Sequence, residues 1–241
     1  MSFVAHQSPQ KNTPPMIYRL HRWFFAACIV LGTGATIVTL ATNPGYYSSQ
    51  NGELALIAAL ATANPLMVQT YFIAGAIVGY TLPLGLLAMA WLAMRRSPWL
   101  ASVAALVVII GVFPLVVFTA QDSLGYEIAR MGSNPVLLTL AQRFINDGVM
   151  GYYNIVFIPG TILGPTLIGI ALWRARAVPT WAAILITVSR LLVFVYPFVP
   201  GLPGIYVQLP GAVLLFIGSL PAALAVLRVP RNESQLTEDK L

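Results

Sequence analysis

Six apolar runs, each near the roughly 20 residues a helix needs to cross a bilayer, constrain this chain more than anything else in it: 23–42, 68–94, 99–120, 149–172, 181–196 with its flanks, and 205–227. Lipid offers no partners to backbone N–H and C=O groups, so such runs fold as helices. The chain is 58% hydrophobic and 8% charged, against roughly 25% charged residues in a soluble domain. A water-soluble single core is thereby set aside. The expected fold is all-α: one polytopic domain, 16–228, of six transmembrane helices. The polar ends, 1–15 and 229–241, have no periodic pattern and read as disordered tails.

Charge sets the orientation. Lys11, Arg19 and Arg22 precede the first run, Arg95 and Arg96 separate the second and third, Arg174 and Arg176 the fourth and fifth, and Arg228 and Arg231 follow the sixth. The positive-inside rule then places both termini in the cytoplasm. The opposite side carries Glu53, Asp122, Glu127 and Asp147 against Arg130 and Arg143. Trp23, Trp91, Trp99, Trp173 and Trp181 fall near the cytoplasmic ends, as an interfacial belt does. The first run is too long for a cleaved leader and reads as an uncleaved signal-anchor. Orientation accounts for the net charge of +6, and no basic cluster with aromatic interleaving points to nucleic acid. Cys28 is the sole cysteine, which leaves no disulfide or multi-cysteine metal site.

Two of the three outer connections are long. ELALIAALATA at 53–63 follows an Asn-Pro-Gly turn at 43–45. It favours a helix too short to span, lying at the interface or tucked between spans. In the second, Asn134 suits a helix cap and Pro135 its first turn. Val136, Leu137, Leu140, Ala141, Phe144 and Ile145 then form an apolar face against Thr139, Gln142, Arg143 and Asn146, which predicts an amphipathic interfacial helix. Asn64-Pro65 and the run after it faintly echo this segment.

Arg190 lies about a dozen positions into the apolar stretch 178–197, where an ionisable group is a functional-site hypothesis by default. At about 1.5 Å per residue it sits roughly 10 Å below the outer end of its span. Asn154 has a similar depth; Asp122 ends the third span, Asp147 opens the fourth, Gln69 opens the second and Gln208 lies near the start of the sixth. These groups predict a polar cavity in the outer half, with Arg190 reaching Asp122 or Asp147. The bland alternatives are an arginine that snorkels to headgroups or an inert packing ion pair. Tyr71, Tyr80, Tyr126, Tyr152, Tyr153, Phe157, Tyr196, Phe198 and Tyr206 occupy the same half, as pocket walls or as an aromatic belt.

No motif names a reaction. His6 and His21 both lie before the first span, which removes haem ligation and a His-centred triad within the bundle. There is no Gly-rich phosphate loop, HExxH or paired-aspartate diphosphate site, and no cofactor or metal is implied. What remains is carboxylate chemistry, with Asp122, Asp147 and Glu127 as catalytic candidates. Arg190, Asn154, Gln69, Tyr80, Tyr153 and Gln208 are the candidate ligand contacts. Gly75/Gly79 and Gly160/Gly164 give GxxxG steps for close helix packing. Of the prolines at 83, 114, 159, 165, 210 and 221, those at 159 and 165 mark the expected hinge.

GTILGPTLIGIALWRARAVPTWAAILI at 160–186, with its Gly164, Gly169, Trp173, Arg174, Pro179 and Trp181, resembles a bacterial family of uncharacterised six-helix membrane proteins, and RRSPWLA at 95–101 looks similar. The resemblance implies a six-helix bundle in a bacterial plasma membrane and no activity. The functional expectation is a cavity for a lipid or isoprenoid-like apolar molecule, with proton-initiated cyclisation or isomerisation as its chemistry. The competing classes are a non-enzymatic accessory or immunity component, whose outer helices meet a membrane-protein partner or a second copy, and a small transporter.

Overall fold

The computed structural model describes residues 16–47, 53–132, 134–192 and 202–228. The expected disordered tails, together with Tyr196 and Phe198, lie outside the described residues. Every regular element among them is helical: α1 (Met16–Thr42), a 3-10 turn (Pro44–Tyr47), α2 (Glu53–Thr62), α3 (Pro65–Met94), α4 (Pro98–Val112), α5 (Leu115–Arg130), α6 (Pro135–Ile145), α7 (Gly148–Ala175), α8 (Thr180–Ser189) and α9 (Ile205–Arg228). Five units are long and apolar enough to cross a membrane: α1, α3, α4 with α5, α7 and α9. The protein is an integral membrane protein on that ground. The fifth expected span, 181–196, begins as α8, whose α-helical part is ten residues long, and the description stops at 192.

The helices close into a ring. α1 packs on α3, α3 on α4, α4 on α7, α7 on α8, α8 on α9 and α9 on α1, with α3 also touching α7 and α9. Glycine lets several of these neighbours meet at the backbone. A Cβ built on Gly32 would lie 2.6 Å from the Leu82 backbone, and one on Gly85 2.8 Å from the Cys28 carbonyl, so α1 and α3 run antiparallel in close contact. The two expected GxxxG steps are both used within the chain. Gly75 and Gly79 face Thr119 and Val116 of α5, while Gly160 and Gly164 face Gly111 and Val108 of α4. A buried Thr33–Ser219 hydroxyl pair, 3.1 Å apart, ties α1 to α9.

Seven arginines, at 19, 22, 95, 96, 174, 176 and 228, collect at the end where α1 begins and α3, α7 and α9 finish. The acidic residues of the described helices lie toward the other end, where α2 and α6 sit. The densest packing belongs to the arginine half: Ile29, Leu86, Met89, Val108, Ile168, Leu172, Ile186, Leu215 and Val226 are almost completely enclosed. The outer surface exposes Leu31, Ile73, Ile77, Leu106, Ile155, Leu163 and Ile184. A bilayer solvates such a surface, whereas water would not.

Both loop helices form. Asn64 caps α3 and Asn134 caps α6 in the same way, each side chain accepting the N–H two residues on, from Leu66 and from Val136, at 2.9 Å. The two Asn-Pro starts are thus equivalent in structure. α6 buries Ala141 and half-buries Leu137 and Leu138 against Ile57 of α2 and Ile128 of α5, but it leaves Val136, Leu140 and Phe144 exposed.

Two expectations are corrected. Asp122 does not end the third span, because α5 continues two turns beyond it to Arg130 and so carries Glu127 as well. The hinge is also misplaced: α7 stays helical through Pro159 and Pro165, and the interruption falls at Phe113–Pro114, between α4 and α5. Pro114 stands at the cap of α5, where its missing N–H costs little. α7 is clamped by neighbours that keep it helical despite two lost backbone bonds. The argument for a transporter with a broken fourth span loses its basis.

Candidate functional site

A cavity of about 400 Å³ opens in the half of the bundle opposite the arginines, and every membrane-length helix contributes to its wall. α1 offers Thr36, Thr39, Leu40 and Asn43, one face of a helix over two turns. Thr36 donates to the Gly32 carbonyl at 2.8 Å and Thr39 to that of Ala35 at 2.9 Å. Thr119 of α5 donates to Leu115 at 3.1 Å. With their protons used inside their own helices, these hydroxyls present lone pairs to the cavity. Asn43 accepts the Gly45 N–H at 2.9 Å, an Asx turn that ends α1 and swings Tyr46 onto the cavity. The Tyr46 ring lies over Gly204, where a Cβ would come within 2.8 Å of it.

Arg190 follows the last residue of α8, its N–H bonded to the Val188 carbonyl. α8 is held from two sides at the backbone: Gly169 of α7 abuts Thr187, and Gly211 of α9 abuts the Ser189 carbonyl. The guanidinium therefore enters the cavity from a fixed stem. Its Nε is buried with no hydrogen-bond partner, and the ion pair found among the described residues is Arg130–Glu127 on the surface, not one to Arg190. The Tyr46 phenol interacts electrostatically with the guanidinium. Tyr71, buried on α3, donates to the Asp122 carboxylate, and both line the cavity. Asn154 of α7 and Gln208 of α9 complete the polar lining.

The structure thus brings together Arg190, Asp122, Asn154 and Gln208 of the expected set, with Tyr71 and Phe157 among the aromatics. It does not join Arg190 to Asp122 or Asp147 in an ion pair. Asp147 precedes α7 at the exposed surface without a side-chain capping bond. Glu127 pairs with Arg130 at 3.2 Å, also in the open. Gln69 and Tyr80 point outward from α3, and Tyr153 packs beside Tyr152. Depth along a helix placed these residues at the right level; rotational phase turned them away from the cavity.

Sequence reasoning missed Thr36, Thr39, Asn43, Tyr46, Thr119 and Thr161. The signal was present as spacing: Thr36 and Asn43 are seven apart, Thr119 and Asp122 three, Asn154 and Thr161 seven, each on one helical face. It also missed Gln121, which is buried with neither end of its amide bonded. A void of about 20 Å³ beside it, walled by Ile57, Gly125 and Ala141, has room for one water. Leu56 and Asp122 border both this void and the main cavity.

Among the described residues no group of three metal-ligating side chains occurs. The arrangement offers one fixed cation, one carboxylate with a phenol donor, three amides and a set of hydroxyl acceptors, over walls of Leu40, Val78, Leu82, Val112, Phe118 and Ile162. No protein-family model, curated protein or solved structure matches the chain.

Proposed function

We propose that this chain is a six-crossing protein of a bacterial plasma membrane, both termini cytoplasmic, that binds a small lipid-like or isoprenoid-like molecule in its outer half. In this reading α8 belongs to the fifth of the six crossings, and α2 and α6 lie at the outer interface, where the exposed Val136, Leu140 and Phe144 enter lipid. The observation that carries the binding reading is the partnerless, buried Nε of Arg190 in the cavity wall. A buried donor left unbonded costs about 1–3 kcal/mol, a cost a ligand head accepting from it would remove. The cavity's size falls within the roughly 300–1,000 Å³ of small-molecule sites, and so does its mix of apolar wall and few polar groups.

The test is organic extraction and mass spectrometry of protein purified in mild detergent. Wild type is expected to retain one small amphiphile near stoichiometrically and Arg190→Ala to lose it. A wild-type protein carrying only bulk lipid, in the same proportions as Arg190→Ala, would end the proposal.

The Tyr71–Asp122 hydrogen bond favours a second reading, in which the cavity is also catalytic. An Asp122 carboxyl that gives a proton to an alkene carbon, and recovers one from the resulting cation, isomerises or cyclises its substrate without any cofactor. With Tyr71 donating, Asp122 is instead a base or counter-charge, so the acid role needs the bond reversed, Asp122 donating to the phenol. Chromatography of the extract decides the matter. Two isomers of equal mass are expected from wild type and one from Asp122→Asn. An unchanged isomer ratio removes the catalytic reading and leaves binding standing.

A further inference from the structure

At the arginine end, a concavity of about 630 Å³ opens between the α3–α4 turn, the α7–α8 turn and the last turns of α9. Four guanidinium-bearing residues line it: Arg95 and Arg96 from the first turn, Arg176 from the second and Arg228 from α9. Among the described residues none of the four is in an ion pair. Among the described residues no carboxylate lines the concavity; its remaining wall is apolar, including Leu92, Ala177, Pro179 and Leu224. Orientation by the positive-inside rule requires basic residues near this surface. It does not require them to converge from three separate segments on one hollow with a greasy floor.

The local backbone fixes the convergence. Arg176 adopts a left-handed conformation, φ 51°, rare for a residue with a side chain, and ends α7 with its N–H on the Leu172 and Trp173 carbonyls. That turn folds α8 back along α7 and leaves the Arg176 side chain beside the hollow instead of on the outer face of the helix. Arg95 stands over the Trp91 ring, 5.8 Å from its centroid. Trp91, Trp99, Trp173 and Trp181 are all exposed at this level and mark it as the headgroup region of a bilayer.

We propose that this hollow is a specific site for the phosphate head of an anionic glycerophospholipid, the acyl chains running down past Leu92 and Leu224. Guanidinium forks match phosphate oxygens geometrically, and basic pockets between membrane helices are where such heads bind. A zwitterionic lipid such as phosphatidylcholine adds a quaternary ammonium to its phosphate, and four arginines in one hollow repel that cation. The proposal requires only that this end meet a bilayer surface, and it is independent of what the central cavity holds.

The experiment is native mass spectrometry of the full chain released from nanodiscs of mixed phosphatidylglycerol and phosphatidylcholine. Wild type is expected to keep one phosphatidylglycerol at activation energies that strip phosphatidylcholine, and to unfold at higher temperature in the anionic lipid. The triple variant Arg95→Gln, Arg96→Gln, Arg228→Gln is expected to bind it roughly a hundred-fold more weakly, each basic residue at an anionic surface contributing about a factor of five. Arg174→Gln removes a charge from the same end without touching the hollow, and it is expected to retain the lipid. Equal loss in Arg174→Gln, or full retention in the triple variant, would overturn the site. Displacement of the lipid by millimolar inorganic phosphate would reassign it to a soluble phosphate compound.

Discussion

Arg190→Met is expected to yield a protein that unfolds at a higher temperature than wild type and no longer retains its ligand. The two effects share one cause. The guanidinium occupies a bundle interior with its Nε unbonded and no carboxylate paired to it among the described residues. Methionine is unbranched, reaches about as far as the arginine Nε, and has no donor to satisfy. Replacing buried ionic groups by well-packed apolar ones is often neutral or stabilising, and the unbonded donor alone is worth about 1–3 kcal/mol. For a chain of this size the apparent unfolding temperature should rise by several degrees, at roughly 2–4 °C per kcal/mol. Thermal unfolding in detergent, on protein freed of bound lipid, measures the first effect; extraction of freshly purified protein measures the second. If Arg190 served only to lock helices together, the signs would reverse: methionine would lower the unfolding temperature, and whatever the cavity holds would stay. A variant both less stable and still loaded would therefore remove Arg190 from the site.

Of the residues that sequence alone directed to one polar cavity, some line it and some do not, and position along the helix separates most of them. Arg190 and Asn154 were recognisable because a polar group deep in an apolar run must face other protein, so depth alone directs it inward; Asp122, read as the end of its span, and Gln208, three residues into α9, reach the cavity without that warrant. Glu127, Asp147 and Gln69 sit near the ends of helices, where a polar group is equally well solvated pointing out, and depth says nothing about phase. Tyr80 and Tyr153 are ambiguous for a related reason, since a phenol is at home both in a pocket and at a lipid-facing surface. The threonines of α1 escaped notice because a hydroxyl bonded to its own helix is nearly apolar in its cost to bury. They read as ordinary span residues until the helix faces are known. The same logic covers the helices. Asn134 and Pro135 announce α6 through local chemistry, and α6 forms where expected. Which proline interrupts a span depends on what packs against it: Pro159 and Pro165 lie where α4 and α8 clamp α7, whereas Pro114 lies where a new helix can start.

The second large effect concerns the crossing of α4 and α7, which shapes the cavity from below. Gly111 and Gly160 meet there directly: a Cβ on Gly160 would lie 2.3 Å from the Gly111 Cα, and one on Gly111 2.4 Å from the Gly160 Cα. The atoms in the way are backbone on both sides, so no rotamer change relieves the clash and the helices must move apart. Separation would also release Gly164 from Val108, the next contact along the same seam. Alanine has an intrinsic helical advantage of about 1 kcal/mol over glycine, yet overpacking of a fixed contact costs about 1–3 kcal/mol, and a backbone contact belongs at the upper end. Gly160→Ala is therefore expected to destabilise the protein by about 2 kcal/mol, and Gly160→Leu to leave little folded material. Gly151 provides the control, lying on the same helix with nothing within 4 Å of its would-be Cβ. Gly151→Ala is expected to be neutral or stabilising by up to about 1 kcal/mol. Unfolding temperatures of the two alanine variants, measured side by side in one detergent, separate packing from propensity. Equal shifts in both would mean that α4 and α7 do not depend on this backbone contact. A loss confined to position 160 would mean that the inner end of the cavity, lined by Val112, Phe157 and Ile158 next to the crossing, depends on two residues having no side chain.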